Sequence, residues 1–126
     1  MAIREQVGIL VEHVECGNFI DAIDTFYADD AESFDTGGIH TAGKAALLEK
    51  ERNFLTTIAT WHAHQAIDIV VDDTLAAIHW HFELTRRNGE RVTLEEIALQ
   101  KWRGSGPDAR IVHEKYFPFS PVGPKS

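Results

Sequence analysis

A single cysteine, Cys16, in a chain of 126 residues excludes an internal disulfide and cannot build a cysteine-based zinc site. It has no obvious basic neighbour to activate it as a nucleophile, so it reads more simply as a small residue near a helix end. Long apolar runs are also missing. None approaches the ~18 residues that a membrane-spanning helix needs, and "MAIREQVGIL" at the start intersperses charges among its apolar residues, so a cytoplasmic protein without a membrane partner is expected. Positive charge is scarce: 12 Lys and Arg stand against 20 Asp and Glu, a net −8. No segment forms a basic patch, and because nucleic-acid binding is largely electrostatic, nucleic acid is not an expected partner.

The chain has the composition of an ordinary soluble globular protein, 44% hydrophobic and 25% charged, and the length of one domain. No internal repeat or linker divides it. A single domain is expected over residues 1–119, with "SPVGPKS" at 120–126 as a loose tail.

Ile3, Val7, Leu10 and Val14 recur at helical spacing, and Gly17-Asn18 offers a stop followed by a new N-cap. The second helix runs through "FIDAIDTFY" and buries Phe19, Ile23 and Phe26. A short strand, "AESFD", breaks at Thr36-Gly37-Gly38. Thr41 can cap a third helix through "KAALLEKERNFLTTI", with Leu47, Leu48, Phe54, Leu55 and Ile58 as its apolar stripe. The period then changes to two. "WHAHQAIDIVV", "LAAIHWHFELT", "RVTLEEIALQKW" and "RIVHEKYFPF" read as four strands, with turns at Asp72-Asp73, Asn88-Gly89 and "GSGPDA".

Those turns imply a register. A two-residue turn at Asp72-Asp73 pairs Val71 with Thr74 and sets His64 opposite His81; a type I′ turn at Asn88-Gly89 sets His81 opposite Glu96. His64, His81 and Glu96 then form one row, with His62, His79 and Glu83 on the same face. The opposite face carries Trp61, Gln65, Trp80, Phe82 and Leu84, then Glu95, Ile97 and Leu99. Being nearly all apolar, it is the face to lay against the helices.

Helix, helix, short strand, long helix and antiparallel meander resemble the nuclear transport factor 2 fold in its SnoaL-like branch. The words that carry the resemblance are "FYADDAESFDTGG", "HTAGKAALLEKE" and "ARIVHEKYFPF". It implies an α+β fold, a cone-shaped barrel in which a curved, mainly antiparallel sheet wraps three helices around an apolar pocket. The family includes polyketide cyclases, ketosteroid isomerases and binding modules without catalysis, so the fold alone decides little. "FYADDAESFD" is similar to the isomerase stretch whose last aspartate is the general base, which places Asp35 there. The isomerase's oxyanion donors are not kept, since Leu10 and Ala98 stand at their positions, and a steroid isomerase is disfavoured.

Two readings of the whole follow. The first is an enzyme without a cofactor, a cyclase, isomerase or dehydratase acting on an apolar carbonyl compound, with Asp35 as base in a desolvated setting. The second is a non-catalytic ligand-binding or dimeric interaction module. Asp35 also suits a plain turn former, and Glu95 either reaches water at the sheet's open end or faces the pocket beside Gln65 and Trp80. Trp61, Trp80 and Phe82 serve as core and pocket wall alike, with Tyr27 and Tyr116 as further pocket candidates. His64, His81 and Glu96, with His62 or His79, have the ligand types of a zinc or iron site. A row on a flat outer face suits a homodimer surface better than a closed metal shell, and no metal is expected. A bulge in one strand would exchange the faces beyond it. An ungapped comparison with the isomerase favours that exchange, which would turn the histidines to the pocket; the apolar pattern opposes it.

Overall fold

The computed structural model describes residues 3–119; the expected tail at 120–126 lies outside them. Two helices, α1 (Arg4–Glu15) and α2 (Phe19–Phe26), lead into strand β1 (Tyr27–Asp35), followed by β2 (Ile39–Ala42), helix α3 (Lys44–Thr56) and four strands. These are β3 (Ile58–Asp72), β4 (Leu75–Arg86), β5 (Arg91–Arg103) and β6 (Arg110–Phe119). All six strands form one sheet in the order β2-β1-β6-β5-β4-β3, antiparallel except where β1 runs parallel to β6. The sheet curls around the three helices without closing. This is the expected α+β cone.

The helices form where the apolar spacing predicts them. Val7 and Leu10 of α1 and Ile3 just before it are nearly inaccessible, and Phe19, Ala22 and Phe26 of α2 are buried. Gly17, at φ 82°, supplies the left-handed residue that ends α1. Thr41 caps nothing: it pairs with Ser33 in a β1–β2 hairpin, and α3 starts instead after Gly43 at φ 92°. A four-residue edge strand, Ile39–Ala42, is too short to show a period.

The inward face of β4 is the expected one. Ala76, Ile78, Trp80 and Leu84 are buried against the helices, so the apolar pattern prevails over the ungapped comparison in this strand. In β5 the faces are exchanged. The connection after Arg86 is a three-residue loop, Arg87-Asn88-Gly89: Gly89 N–H donates to Arg86 O, Arg86 N–H donates to Glu90 O, and Gly89 takes φ 92°. One residue more than a type I′ turn shifts the register by one and sends every β5 side chain to the other face. His81 therefore stands opposite Glu95, not Glu96, and Glu96 stands opposite Trp80. Ala98, Gln100 and Trp102 are the buried residues of β5, while Ile97 and Leu99 are exposed.

In β3 the pairing slips between Ile58 and Thr60, Trp61 and Ala63, and Ala66 and Asp68. Such irregularities bend a strand and change which residues face inward. His64 pairs with Phe82 rather than His81 and turns to the inner side. Gln65, expected on the inner side, pairs with His81 and is exposed.

Candidate functional site

Between the helices and the concave sheet lies a cavity of about 350 Å³. Its apolar wall comes from Leu10 and Val14 of α1, Phe19, Ala22 and Ile23 of α2, Phe54 of α3, and Trp61, Trp80, Phe82 and Leu94 of the sheet. Trp80 stacks on Phe82 at a centroid distance of 5.7 Å, and Trp61 meets Phe82 edge-on at 5.8 Å. Rings held against one another in this way give the wall a fixed shape.

The rest of the lining is polar and acidic: Tyr27 and Asp35 of β1, Lys50 and Glu51 of α3, Glu96 and Gln100 of β5, Glu114 and Tyr116 of β6. Alternation brings them together. Ser33, Glu114, Gln100 and Ala76 form one row across β1, β6, β5 and β4. Glu114, 1% exposed, accepts the hydroxyl of Tyr27, the hydroxyl of Tyr116 at 2.5 Å, and Gln100 Nε2 at 2.7 Å. Gln100 Oε1 in turn accepts the Trp102 indole N–H at 3.1 Å. Three donors to one side chain match an ionised carboxylate, which is acceptor-only. Burial opposes that charge and raises the Glu114 carboxyl above its ordinary range, while the donors from Tyr116, Tyr27 and Gln100 counteract it. Both phenols are pushed well above 10, first by burial and then by Glu114.

Asp35 lies at the end of β1 and pairs with Lys50, Oδ2 to Nζ 2.7 Å; the two side chains are 32% and 36% exposed. Lys50 also donates to Ser33 Oγ at 3.1 Å. The site is built differently from the isolated, desolvated carboxylate that the sequence suggests. Glu51 and Glu96 are the desolvated pair. Each is pushed up to about 7, in the first place by burial and then by neighbouring carboxylates, Glu114 and Asp35 for both and Glu51 also for Glu96, with Lys50 opposing. No hydrogen bond enters either shift.

Of the residues expected at the pocket, Asp35, Tyr27, Trp61, Trp80, Phe82 and Tyr116 line the cavity. Glu95 does not: it lies on the outer face, where its oxygens meet His79 Nε2 and His81 Nδ1, each at 2.5 Å. Gln65 is exposed on that same side. Glu96, expected in the histidine row, is the β5 carboxylate in the cavity. His64 leaves the row as well; it packs edge-on to Phe19 and Trp61, with centroids at 5.5 Å, and its Nδ1 is buried without a partner. His79, His81, Glu95 and Glu83 remain together outside, His81 Nε2 reaching Glu83 Oε2 at 2.8 Å. No group of three or more His, Cys, Asp or Glu among the described residues is disposed to hold a metal ion.

Glu51, Lys50, Gln100 and Glu114 were not singled out from the sequence. Lys50 and Glu51 sit on α3 outside its apolar stripe, and polar residues at such positions most often face solvent. For β5 a signal exists: Val92, Leu94, Ala98 and Trp102 share the parity of Glu96, against Ile97 and Leu99 on that of Glu95. The larger apolar set marks the inward face.

The family model described as a SnoaL-like domain matches residues 10–113. No curated protein sequence matches the chain. Among solved structures, a protein assigned as a SnoaL-like polyketide cyclase from Mesorhizobium loti superposes with a TM-score of 0.77 at 23% identity, covering 93% of this chain and 99% of that one. An NTF2-like protein of unknown function from Burkholderia xenovorans LB400 gives 0.75 at 18% identity, covering 98% and 87%. A protein assigned as a SnoaL-like polyketide cyclase from Jannaschia sp. CCS1 gives 0.74 at 10%, covering 90% and 83%. At these identities the likeness establishes the fold alone. No helix among the described residues is long and apolar enough to cross a membrane.

Proposed function

The chain belongs to the SnoaL-like domain family, and on that premise we propose that its cavity binds an apolar carbonyl compound and moves a proton on it without a cofactor. The reaction class is that of an isomerase, cyclase or lyase. The observation that carries this reading is the Asp35–Lys50 pair, 2.7 Å apart on the wall of an otherwise aromatic and aliphatic cavity. Asp35, as general base, takes a proton next to the carbonyl. Charge then develops on the carbonyl oxygen, and the Lys50 ammonium is the cation at hand to stabilise it. Neither tyrosine supplies that help, because both hydroxyls already donate to Glu114.

The test is exchange of α-protons in deuterated water, followed by NMR over a panel of apolar ketones, with binding read from quenching of tryptophan fluorescence. Asp35→Asn should abolish exchange and leave binding in place. Lys50→Met should slow exchange, about 10- to 1000-fold on the scale of a lost oxyanion contact. Native protein that binds ketones and exchanges none of them would sink the enzymatic reading. The consumed tyrosine donors favour the second reading, a ligand-binding module of the same fold.

The partner proposed for the outer sheet face is a second copy of the chain. There Ile97, Leu99 and Phe117 stand exposed beside the polar group of His79, His81 and Glu95, an apolar centre with a polar margin. Sedimentation of the native chain and of Ile97→Lys checks it: a monomer at all concentrations would exclude the dimer.

A further inference from the structure

The cavity's donor and acceptor inventory specifies more about the ligand than its apolar wall does. At the polar end the two phenols and Gln100 direct their donors to Glu114, and Lys50 gives two of its three donors to Asp35 and Ser33, the third being the one assigned above to the carbonyl. Apart from that donor, what the cavity offers is carboxyl oxygen, from Glu51 on α3 and Glu96 on β5. Behind them stands Glu114, a buried carboxylate whose hydrogen-bond partners are all neutral. An ionised carboxylate only accepts hydrogen bonds. The same lining carries Trp61, Trp80 and Phe82, Trp80 being the cross-strand neighbour of Glu96, and aromatic faces attract cations.

Resting on the reading of this cavity as the binding site, we propose that its ligand carries a cationic amine on an apolar body. The amine sits at Glu51 and Glu96, and the body lies along the aromatic wall. The carbonyl chemistry at Asp35 and Lys50 is then left to another part of the same molecule. A ligand without a donor would leave the free acceptors unpaired, which a polar site penalises, and among donors a cation also answers the charge of an ionised carboxylate. A cation offsets the negative charge gathered at this end, where burial in the first place and then neighbouring carboxylates push Glu51 and Glu96 up to about 7.

The groups facing this end are Tyr27 and Asp35 of β1, Lys50 and Glu51 of α3, Glu96 of β5, and Glu114 and Tyr116 of β6. Of these, Glu51 and Glu96 ionise near neutrality. Cation binding is therefore linked to their deprotonation and strengthens as pH rises.

Benzyltrimethylammonium, whose charge does not titrate, serves as the probe, with neopentylbenzene as its neutral isostere and 4-phenyl-2-butanone as a neutral ketone. Quenching of tryptophan fluorescence between pH 5.5 and 8.5 reports binding. The cation should bind at least about tenfold more tightly than the isostere at pH 8.5, and tighten about tenfold or more across the range, the equivalent of one proton-linked group changing state by a unit. Glu96→Gln and Glu51→Gln should each weaken cation binding and flatten its pH dependence while leaving neopentylbenzene binding intact, which also certifies the fold. Binding of the ketone and the isostere with none of the cation overturns the amine and leaves the proton-transfer reading standing. Equal cation affinity at both ends of the pH range, or in both amide variants, overturns it as well. Failure of all three probes overturns both readings.

Discussion

Glu96 stands opposite Trp80 in the β4–β5 ladder, and Glu95, one residue earlier, stands opposite His81. Two consecutive carboxylates are thereby sent to opposite sides of one sheet. Inside, burial and neighbouring carboxylates push Glu96 up to about 7. Outside, hydrogen bonds from His79 and His81 hold Glu95 below its ordinary range. The environment, and not the residue type, sets the chemistry of each.

Stability should fall as pH rises through the weakly acidic range. Glu51 and Glu96 ionise at about 7 in the folded chain against an ordinary 4.5, so the folded state holds protons that the unfolded chain has released. Their contribution is complete below pH 4.5 and is lost by about pH 7, on the order of 1–3 kcal/mol for each group. Urea unfolding followed by circular dichroism at steps between pH 4 and 8 measures it. Glu96→Gln should flatten the profile and be more stable than the native chain at pH 8. Superimposable profiles for the two proteins would refute the buried carboxyl.

Removing the buried acceptor should cost more than removing any one of its donors. Glu114→Leu strands the hydroxyls of Tyr27 and Tyr116 and the amide of Gln100, a loss of about 3–5 kcal/mol on the scale of a broken buried charge network. Tyr116→Phe deletes one donor and should cost about 1–2 kcal/mol. Denaturant midpoints rank the two, and the reverse order would contradict the network.

The titration of His81 should depend on its neighbours. Both ring nitrogens meet carboxylates, Glu83 at 2.8 Å and Glu95 at 2.5 Å, which matches the imidazolium with two N–H donors. These bonds, Glu83's first and then Glu95's, raise its value above 6.5. In NMR titration Glu83→Gln and Glu95→Gln should each lower the His81 midpoint. A midpoint indifferent to both substitutions would mean that the cluster does not persist in solution.

Gly89 should be the sensitive position of the β4–β5 loop. At φ 92° it occupies a conformation that side chains with a Cβ rarely adopt, though nothing lies within 4 Å of an added Cβ. Gly89→Ala is therefore a test of backbone strain alone, with an expected loss of about 1 kcal/mol. Thermal unfolding of the variant checks it.

Much of the architecture was legible because it rests on local period. The stripe Ile3, Val7, Leu10 and the alternation Ile78, Trp80, Leu84 each identify an element and its buried face, since burial of that face is the largest local driving force. Asp35, Tyr27 and Tyr116 at the cavity followed from resemblance and topology. The exchange of Glu95 for Glu96 was decided by one loop residue. Alternation has a period of two, so a single added residue reverses a strand, and the difference between a two- and a three-residue hairpin is small beside the burial of a whole face.

By itself, the sequence determined three helices, the hairpin strands, a curved α+β domain of this family, and an aromatic inner wall. Only the tertiary structure decided which carboxylates meet in the cavity. Glu114 is one of many charged residues in the chain until Tyr27, 87 positions away, and Gln100, 14 positions away, bring their donors to it. The irregular pairing of β3, which removes His64 from the outer row, is likewise settled by how a long strand must bend to follow its neighbour. Such contacts depend on sums of burial over distant segments, and no local window of the sequence contains them.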